Sequence, residues 1–251
     1  MADRRQKIIG LKELELTNDD LFVRKILSGD ISNTKVIIDE THVAIILKDG
    51  MALETLHPGI YPIQVKKALF SRSIDTQRLE LFYISKTAKV RVLWGTPALF
   101  DVHDPISDVP IKMGASGEIE IRIKNPRQFY VELVGANKKF TVDDLKDRLK
   151  GVILSRIEPT ITSFIELNEV HVDRIGEEKL AMGNFIQRDL NKQLSLNYGL
   201  EVSSAIVSNV NVNEKYKNKI SEKLEKDGKC PRCGYKNEIG SKFCNNCGAR
   251  L

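Results

Sequence analysis

Aromatic side chains are scarce in this 251-residue chain, at 6% with a single tryptophan. A surface built to stack on single-stranded bases needs more of them, so that role is disfavoured. Long apolar runs are missing too. The longest, Val43 to Leu47, is strand-sized and far below the ~18 residues that cross a bilayer. The basic opening Met1-Ala2-Asp3-Arg4-Arg5-Gln6-Lys7 leads into Ile8, Ile9 and Leu11, but Lys12, Glu13 and Glu15 follow at once. That is not the apolar core of a secretory signal. The expectation is a soluble or peripheral protein of the cytosol, where cysteines bind metal more often than each other. A large charge imbalance is absent as well. The net charge of +5 permits an acidic partner, lipid headgroups or nucleic acid, without demanding one. Hydrophobic residues, at 41%, suffice for a real core and exclude wholesale disorder.

Catalytic signatures are equally thin. The four histidines are His42, His57, His103 and His171, none with another at metal-ligand spacing, and there is no His-Glu-x-x-His helix. His103 lies between Asp101 and Asp104 and could mimic an acid–base cluster, but loop histidines beside aspartates are common. There is no Gly-x-Ser-x-Gly elbow and no Gly-x-x-x-x-Gly-Lys-Ser/Thr loop. Gly114-Ala115-Ser116-Gly117 precedes a strand rather than opening a helix, and is expected to be a turn between strands. Nothing makes a positive case for an enzyme.

What is present is strand pattern first and helix pattern second. Lys35–Ile38 and His42–Leu47 read as β runs around Asp39-Glu40, with turn signals at Lys48-Asp49-Gly50 and His57-Pro58-Gly59 and a further run at Ile60–Ile63. Leu79 to Ile84 is apolar, and Val90, Val92 and Trp94 alternate with Lys89, Arg91 and Leu93. In Glu118–Lys124 the isoleucines must share one face and the charges the other, because strand side chains repeat every two residues. At Thr141-Val142-Asp143-Asp144 a hydroxyl cap and carboxylates signal a helix start, and Leu145, Leu149, Val152 and Ile153 keep helical spacing. Pro159 should kink or end that helix, with a second piece through Ile161 and Phe164. A further helix is expected over 177–196, with Met182, Phe185, Ile186, Leu190 and Leu194 buried and Gly199 as its stop. A strand then returns through Ile206, Val210 and Val212, and 213–227 reads as a short charged helix around Ile220 and Leu224. Strands followed by helices and one more strand give an α+β class.

All four cysteines lie in the tail, as Cys230-Pro231-Arg232-Cys233-Gly234 and Cys244-Asn245-Asn246-Cys247-Gly248. Two residues between paired cysteines let a tight turn aim both sulfurs at one ion, and four thiolates complete a tetrahedral zinc shell. Ten residues separate the pairs, enough for a hairpin that sets the second turn opposite the first. Tyr235, Ile239, Phe243 and Leu251 are nearly all the apolar material the tail has, so metal would supply most of its stability, on the order of 10–16 kcal/mol. The alternatives are a pair of disulfides or four reduced thiols. The doubled spacing favours structural zinc, with no position left for a substrate.

The body, from about Leu21 to Leu224, resembles the SPFH family of stomatins, prohibitins, flotillins and their bacterial relatives. Val36–Gly50 followed by His57-Pro58-Gly59-Ile60-Tyr61 resembles that family's opening hairpin and Pro-Gly turn. Gly117–Pro126 leading to Phe129 is similar to the strand before its characteristic helix. Leu180–Val212, with the turn Tyr198-Gly199, is similar to its second helix and closing strand. In particular the chain is similar to a small bacterial branch with a C-terminal zinc ribbon, often labelled virion-core-like.

The resemblance implies an SPFH-type α+β domain with antiparallel or mixed sheet and packed helices. It also implies self-association and a scaffold role at membranes, recruiting partners such as membrane-stress proteins. The expected division is 1–20 basic segment, 21–212 SPFH-like domain, 213–228 charged helix and linker, and 229–251 zinc ribbon. The N-terminal hydrophobic segment and long coiled coil of many relatives are missing, so attachment would be peripheral, at the cytoplasmic face. Arg4, Arg5 and Lys7 beside Ile8, Ile9 and Leu11 could meet an anionic surface, each cation contributing about 1 kcal/mol; the alternative is a floppy basic terminus. The leading expectation is a non-enzymatic homo-oligomeric scaffold on an anionic membrane with unidentified protein partners. The competing one is a zinc-ribbon adaptor binding nucleic acid or protein in the cytosol, drawing on Lys226, Lys229, Arg232, Lys236, Lys242 and Arg250.

Overall fold

The computed structural model describes residues 7–10, 21–27, 34–48, 51–62, 79–135, 140–238 and 240–251. The chain divides into two compact units. The first comprises Met1–Val90, Ile121–Asp147 and Gln193–Glu201; the second comprises Arg91–Glu120, Arg148–Lys192 and Val202–Leu251. The class is α+β, as expected.

The first unit holds two sheets. Strands β1 (Lys7–Ile9), β3 (Thr34–Ile38) and β6 (Gly59–Pro62) form one, with β1 parallel and β6 antiparallel to β3. Strands β2 (Phe22–Leu27), β4 (His42–Lys48), β5 (Met51–Leu56) and β7 (Leu79–Ser85) form the other, in the order β2-β7-β4-β5, all antiparallel. Ile9, Leu27, Val36, Ile38, Ala44, Leu56, Leu81 and Tyr83 bury one another in a single apolar cluster. Central β7 is apolar on both faces and must be covered on both. Phe82 lies on its other side, stacked on Phe22 with ring centroids 4.5 Å apart and edge-on to Tyr130 at 5.0 Å. Phe129 and Phe140 extend that aromatic layer.

Two expectations change here. The stretch 36–50 is not a hairpin, because β3 and β4 belong to different sheets. Asp39 Oδ1 accepts from the Thr41 N–H (2.9 Å) and the Thr41 hydroxyl (2.7 Å), and this turn passes the chain from one sheet into the next. Ile9 is 2% exposed within its strand, so its side chain belongs to the core and not to a surface. Arg4, Arg5, Leu11, Asp49, Gly50 and Ile63 lie outside the described residues.

Most residues of β8 (Val90–Gly95), β10 (Val109–Ile123) and β11 (Leu200–Val212), and all of β9 (Phe100–Asp104), fall in the second unit, β10 pairing with the other three. Val90, Val92 and Trp94 are buried while Leu93 is 73% exposed, and Ile119, Ile121 and Ile123 are all inside, as their alternation requires. Residues 114–117 are not a turn; β10 runs straight through them. Glycine is needed at 117 for packing, since a Cβ there would sit 1.9 Å from the Ile206 carbonyl oxygen and 2.8 Å from the Trp94 ring.

After β10, Asn125 caps α1 (Pro126–Phe129) by accepting from the Gln128 N–H at 3.1 Å, and a π-helical turn, Tyr130–Val134, follows. Helix α2 (Val142–Leu167) starts where the sequence predicts, with Thr141 and Asp144 capping each other reciprocally. It does not end at Pro159. The apolar face Ile153, Ile157, Ile161 and Phe164 stays buried across the proline. On either side of it, Arg156 (2.9 Å) and the Thr160 hydroxyl (2.9 Å) both donate to Asp189 of α3 (Lys179–Tyr198). Those bonds and that burial outweigh the one helical bond proline removes. Helix α3 buries Met182, Ile186, Leu190 and Leu194 as expected, with Phe185 half-buried and edge-on to Phe164 at 5.6 Å. Gln187 and Asn191 bond the backbone of Val202 and Ser203, giving β11 side-chain partners where it has no second strand. Helix α4 (Glu214–Lys226), capped by Asn213, buries Ile220 and Leu224 and leads into the cysteine segment.

Candidate metal centre

Each Cys-x-x-Cys pair forms the same local turn. Gly234 N–H donates to the Cys230 carbonyl at 2.8 Å, and Cys230 N–H to the Tyr235 carbonyl at 2.8 Å. In the second turn Gly248 N–H donates to the Cys244 carbonyl at 2.9 Å, and Cys244 N–H to the Ala249 carbonyl at 2.8 Å. Both glycines sit at φ +70°, a left-handed conformation that side chains oppose. Short antiparallel bridges, Lys229 with Lys236 and Phe243 with Arg250, close the two knuckles.

The knuckles face each other, and the four Sγ atoms lie within 4.8 Å of one another. Cys230 and Cys247 sulfurs are 3.7 Å apart, and those of Cys233 and Cys244 are 3.6 Å apart. A disulfide needs about 2.05 Å, so these are free thiols. A tetrahedral zinc with sulfur at ~2.3 Å spaces its ligands by about 3.8 Å, so the donor set fits that ion. N–H groups already point at the sulfurs: Arg232 N–H at Cys230 and Asn246 N–H at Cys244, each at 3.4 Å. Burial pushes the Cys230 thiol up to about 12. Burial raises Cys244 too, but the N–H groups of Cys247 and Asn246 and the Asn237 amide outweigh it and bring that thiol down to about 6. Four thiolates brought this close would repel, and a divalent cation at their centre would remove the conflict.

Asn237 was invisible as a functional residue. It is buried; its amide nitrogen donates to the Tyr235 carbonyl (2.8 Å) and to Cys244 Sγ (3.5 Å), and its oxygen accepts from Asn245 N–H (2.9 Å). One side chain therefore ties both knuckles, and no motif marks it. Tyr235, Phe243 and Leu251 are 47%, 60% and 41% exposed and form no core, while Ile239 lies outside the described residues. Among the described residues the sulfur cluster, with Asn237 and the knuckle backbone bonds, organises this tail in place of an apolar core.

The histidines divide otherwise than the sequence suggests. His103 is exposed, 3.8 Å from Asp108, and Asp101 pairs with Lys112 at 3.0 Å. Asp104 is buried and bonds His171 instead, Oδ2 to Nδ1 at 2.6 Å. A carboxylate only accepts, so Nδ1 carries the proton. Asp104 also accepts from Val172 N–H (2.9 Å), Ser107 N–H (2.8 Å) and the Ser107 hydroxyl (2.8 Å). Burial alone would raise its carboxyl; the His171, Ser107 and Val172 donors overcome that and hold it at about 2. Both side chains are at most 1% exposed, and the pair fastens the turn 105–108 to the segment after α2. Among the described residues, the four cysteines are the cluster with metal-binding geometry, and no helix is long and apolar enough to cross a membrane.

Comparison with protein families gives two matches. The model described as SPFH domain-Band 7 family matches residues 26–227, and the zinc-ribbon domain matches residues 229–251. No curated protein matches the chain.

Proposed function

The chain belongs to the SPFH domain-Band 7 family, and on that premise we propose that it is a non-enzymatic, homo-oligomeric scaffold held peripherally at the cytoplasmic face of a membrane. The family match across residues 26–227 is the observation that carries this reading. The division we propose behind it is 1–20 for the basic segment, 21–212 for the main domain, 213–228 for the helix and linker and 229–251 for the ribbon; the first family match runs on through the helix to residue 227. In this reading Cys230, Cys233, Cys244 and Cys247 hold one structural zinc ion. With four thiolates in its shell the ion has no open position, and it fixes the ribbon as a docking appendage for protein partners. The edge strand β5 supports a surface role, since it leaves Met51 66% and Leu53 53% exposed. Within the family we place the chain in the virion-core-like branch, on the pairing of this domain with a C-terminal ribbon.

Flotation with vesicles containing anionic lipid tests the membrane role. Binding that weakens as salt rises is expected, because exposed charges are screened within about 10 Å at 0.1 M salt. Light scattering on the same sample should give a mass well above 28.4 kDa. A monomer indifferent to those vesicles refutes the scaffold. If nucleic acid is retained by the full chain and lost without 228–251, the adaptor reading replaces it.

A further inference from the structure

The ribbon's two knuckles are nearly the same in backbone but differ in surroundings. At Gly248 an added Cβ would meet nothing within 4 Å. At Gly234 it would lie 2.5 Å from Ile106 Cγ2. Ile106 belongs to the turn 105–108 joining β9 to β10, so the first knuckle is seated on the main domain's own surface. Lys229 Nζ donates to the Ile106 carbonyl at 3.3 Å, and Lys223 Nζ to the Asp108 carbonyl at 3.4 Å. Beside this seat is a cavity of about 240 Å³ whose lining includes His171, Arg174, Arg232 and Cys233.

The seat itself is held from beneath. Asp104 fixes the turn through both Ser107 donors and fixes the following segment through His171 and Val172. Ile106 is thereby presented at a set position, and a knuckle with glycine at its tip fits over it. The knuckle has little apolar support of its own. Backbone bonds and Asn237 close the knuckle, but the tail's apolar side chains are largely exposed, so a bound ion would supply most of the stability that keeps residues 230–234 in the form that fits Ile106.

We propose that the ribbon is a metal-dependent latch on the main domain: its first knuckle docks on the turn 105–108, and metal occupancy decides whether it is docked or released. The second knuckle, with Phe243 60% exposed, remains outward for a partner while the latch is closed. Release frees the first knuckle and uncovers the turn, so metal content is read out in the body of the protein. This rests on the zinc reading above.

Hydrogen exchange on the full chain, zinc-loaded and after chelation, tests the latch, with metal content measured on each sample. One zinc per chain is expected, and its removal should speed exchange of the Ser107 and Asp108 amides at least tenfold, leaving β7 unchanged. A chain that binds no zinc overturns the metal reading and the latch together. Zinc that binds, and whose removal loosens 230–248 but not 105–108, overturns the latch alone. Two glycine variants isolate the contact, because Gly234→Ala and Gly248→Ala incur the same left-handed strain and only the first strikes Ile106. Faster exchange at Ser107 and Asp108 is expected in Gly234→Ala only, and equal behaviour refutes the proposal. Ile106→Ala leaves every ribbon residue intact, so it covers the case of a Gly234 variant that cannot hold metal. It should keep one zinc per chain and speed tryptic cleavage after Lys229 several-fold; an unchanged rate counts against the latch.

Discussion

Replacing Asp104 with alanine should be among the most damaging single changes in the described structure. The carboxylate is buried and receives four donors, two on each oxygen. Alanine leaves the Ser107 and Val172 N–H groups and His171 Nδ1 without that acceptor in a site water does not reach. An orphaned buried donor costs about 1–3 kcal/mol, and removing one partner of a buried charged pair costs about 3–5 kcal/mol. The second figure already includes part of the first, so about 4 kcal/mol is expected. With a urea dependence of about 2 kcal/mol per molar, the unfolding midpoint should fall by about 2 M. Asparagine is no silent substitute. Its amide nitrogen must face either the Ser107 pair or the His171–Val172 pair, donor against donor, and a loss of about 2–3 kcal/mol is expected. Urea titration of zinc-loaded protein, followed by circular dichroism, gives all three midpoints. An Asp104→Ala midpoint within 0.3 M of the parent (roughly 0.6 kcal/mol at that slope) would refute the assignment of the turn's stability to this carboxylate.

Three further outcomes follow from the same geometry. Because the folded Asp104 carboxyl is held at about 2, below its ordinary 3.8, its stabilisation is complete above about pH 4 and is lost as pH falls towards 2; about 2 kcal/mol should disappear over that window, and not in Asp104→Asn, as acid titration of stability will show. Gly117→Ala should cost about 3 kcal/mol by driving a methyl group into the Ile206 carbonyl, whereas Gly151→Ala, on exposed α2 surface with nothing within 4 Å, should gain about 0.5–1 kcal/mol in thermal melts. Cys244→Ser should abolish stoichiometric zinc, measured by a colorimetric chelator after denaturation, while leaving the far-ultraviolet spectrum of the main domain nearly unchanged.

Local pattern was legible wherever one physical cause acted alone. The isoleucines of β10 could only face inward together, and the doubled cysteine spacing favoured one centre over disulfides, matching the single sulfur cluster. The start of α2 was written in Thr141 and Asp144, which cap each other three residues apart. What failed to show depended on distant partners. Gly114–Gly117 has the composition of a turn, and the approach of Ile206 and Trp94 explains the glycine at 117 inside a long strand. Pro159 carries a local instruction to stop that Asp189, thirty residues on, helps override. The pair of strands around Asp39 reads as a hairpin until β1, β6 and β7 claim the edges. Asp104 and His171 are 67 positions apart, and no spacing rule joins them, so the sequence drew the eye to His103 instead.

Strand β7 carries a hazard and its remedy in one arrangement. Leu-Glu-Leu-Phe-Tyr-Ile-Ser is a short, weakly charged segment without proline or glycine, of the kind that stacks into aggregates when left unpaired. Its two neighbours, β2 and β4, both precede it in the chain. A ribosome therefore releases this segment only after the edges that will receive it have been made, and its solitary lifetime during synthesis is short. Refolding from denaturant offers no such order, so this protein should recover more soluble material from translation than from dilution.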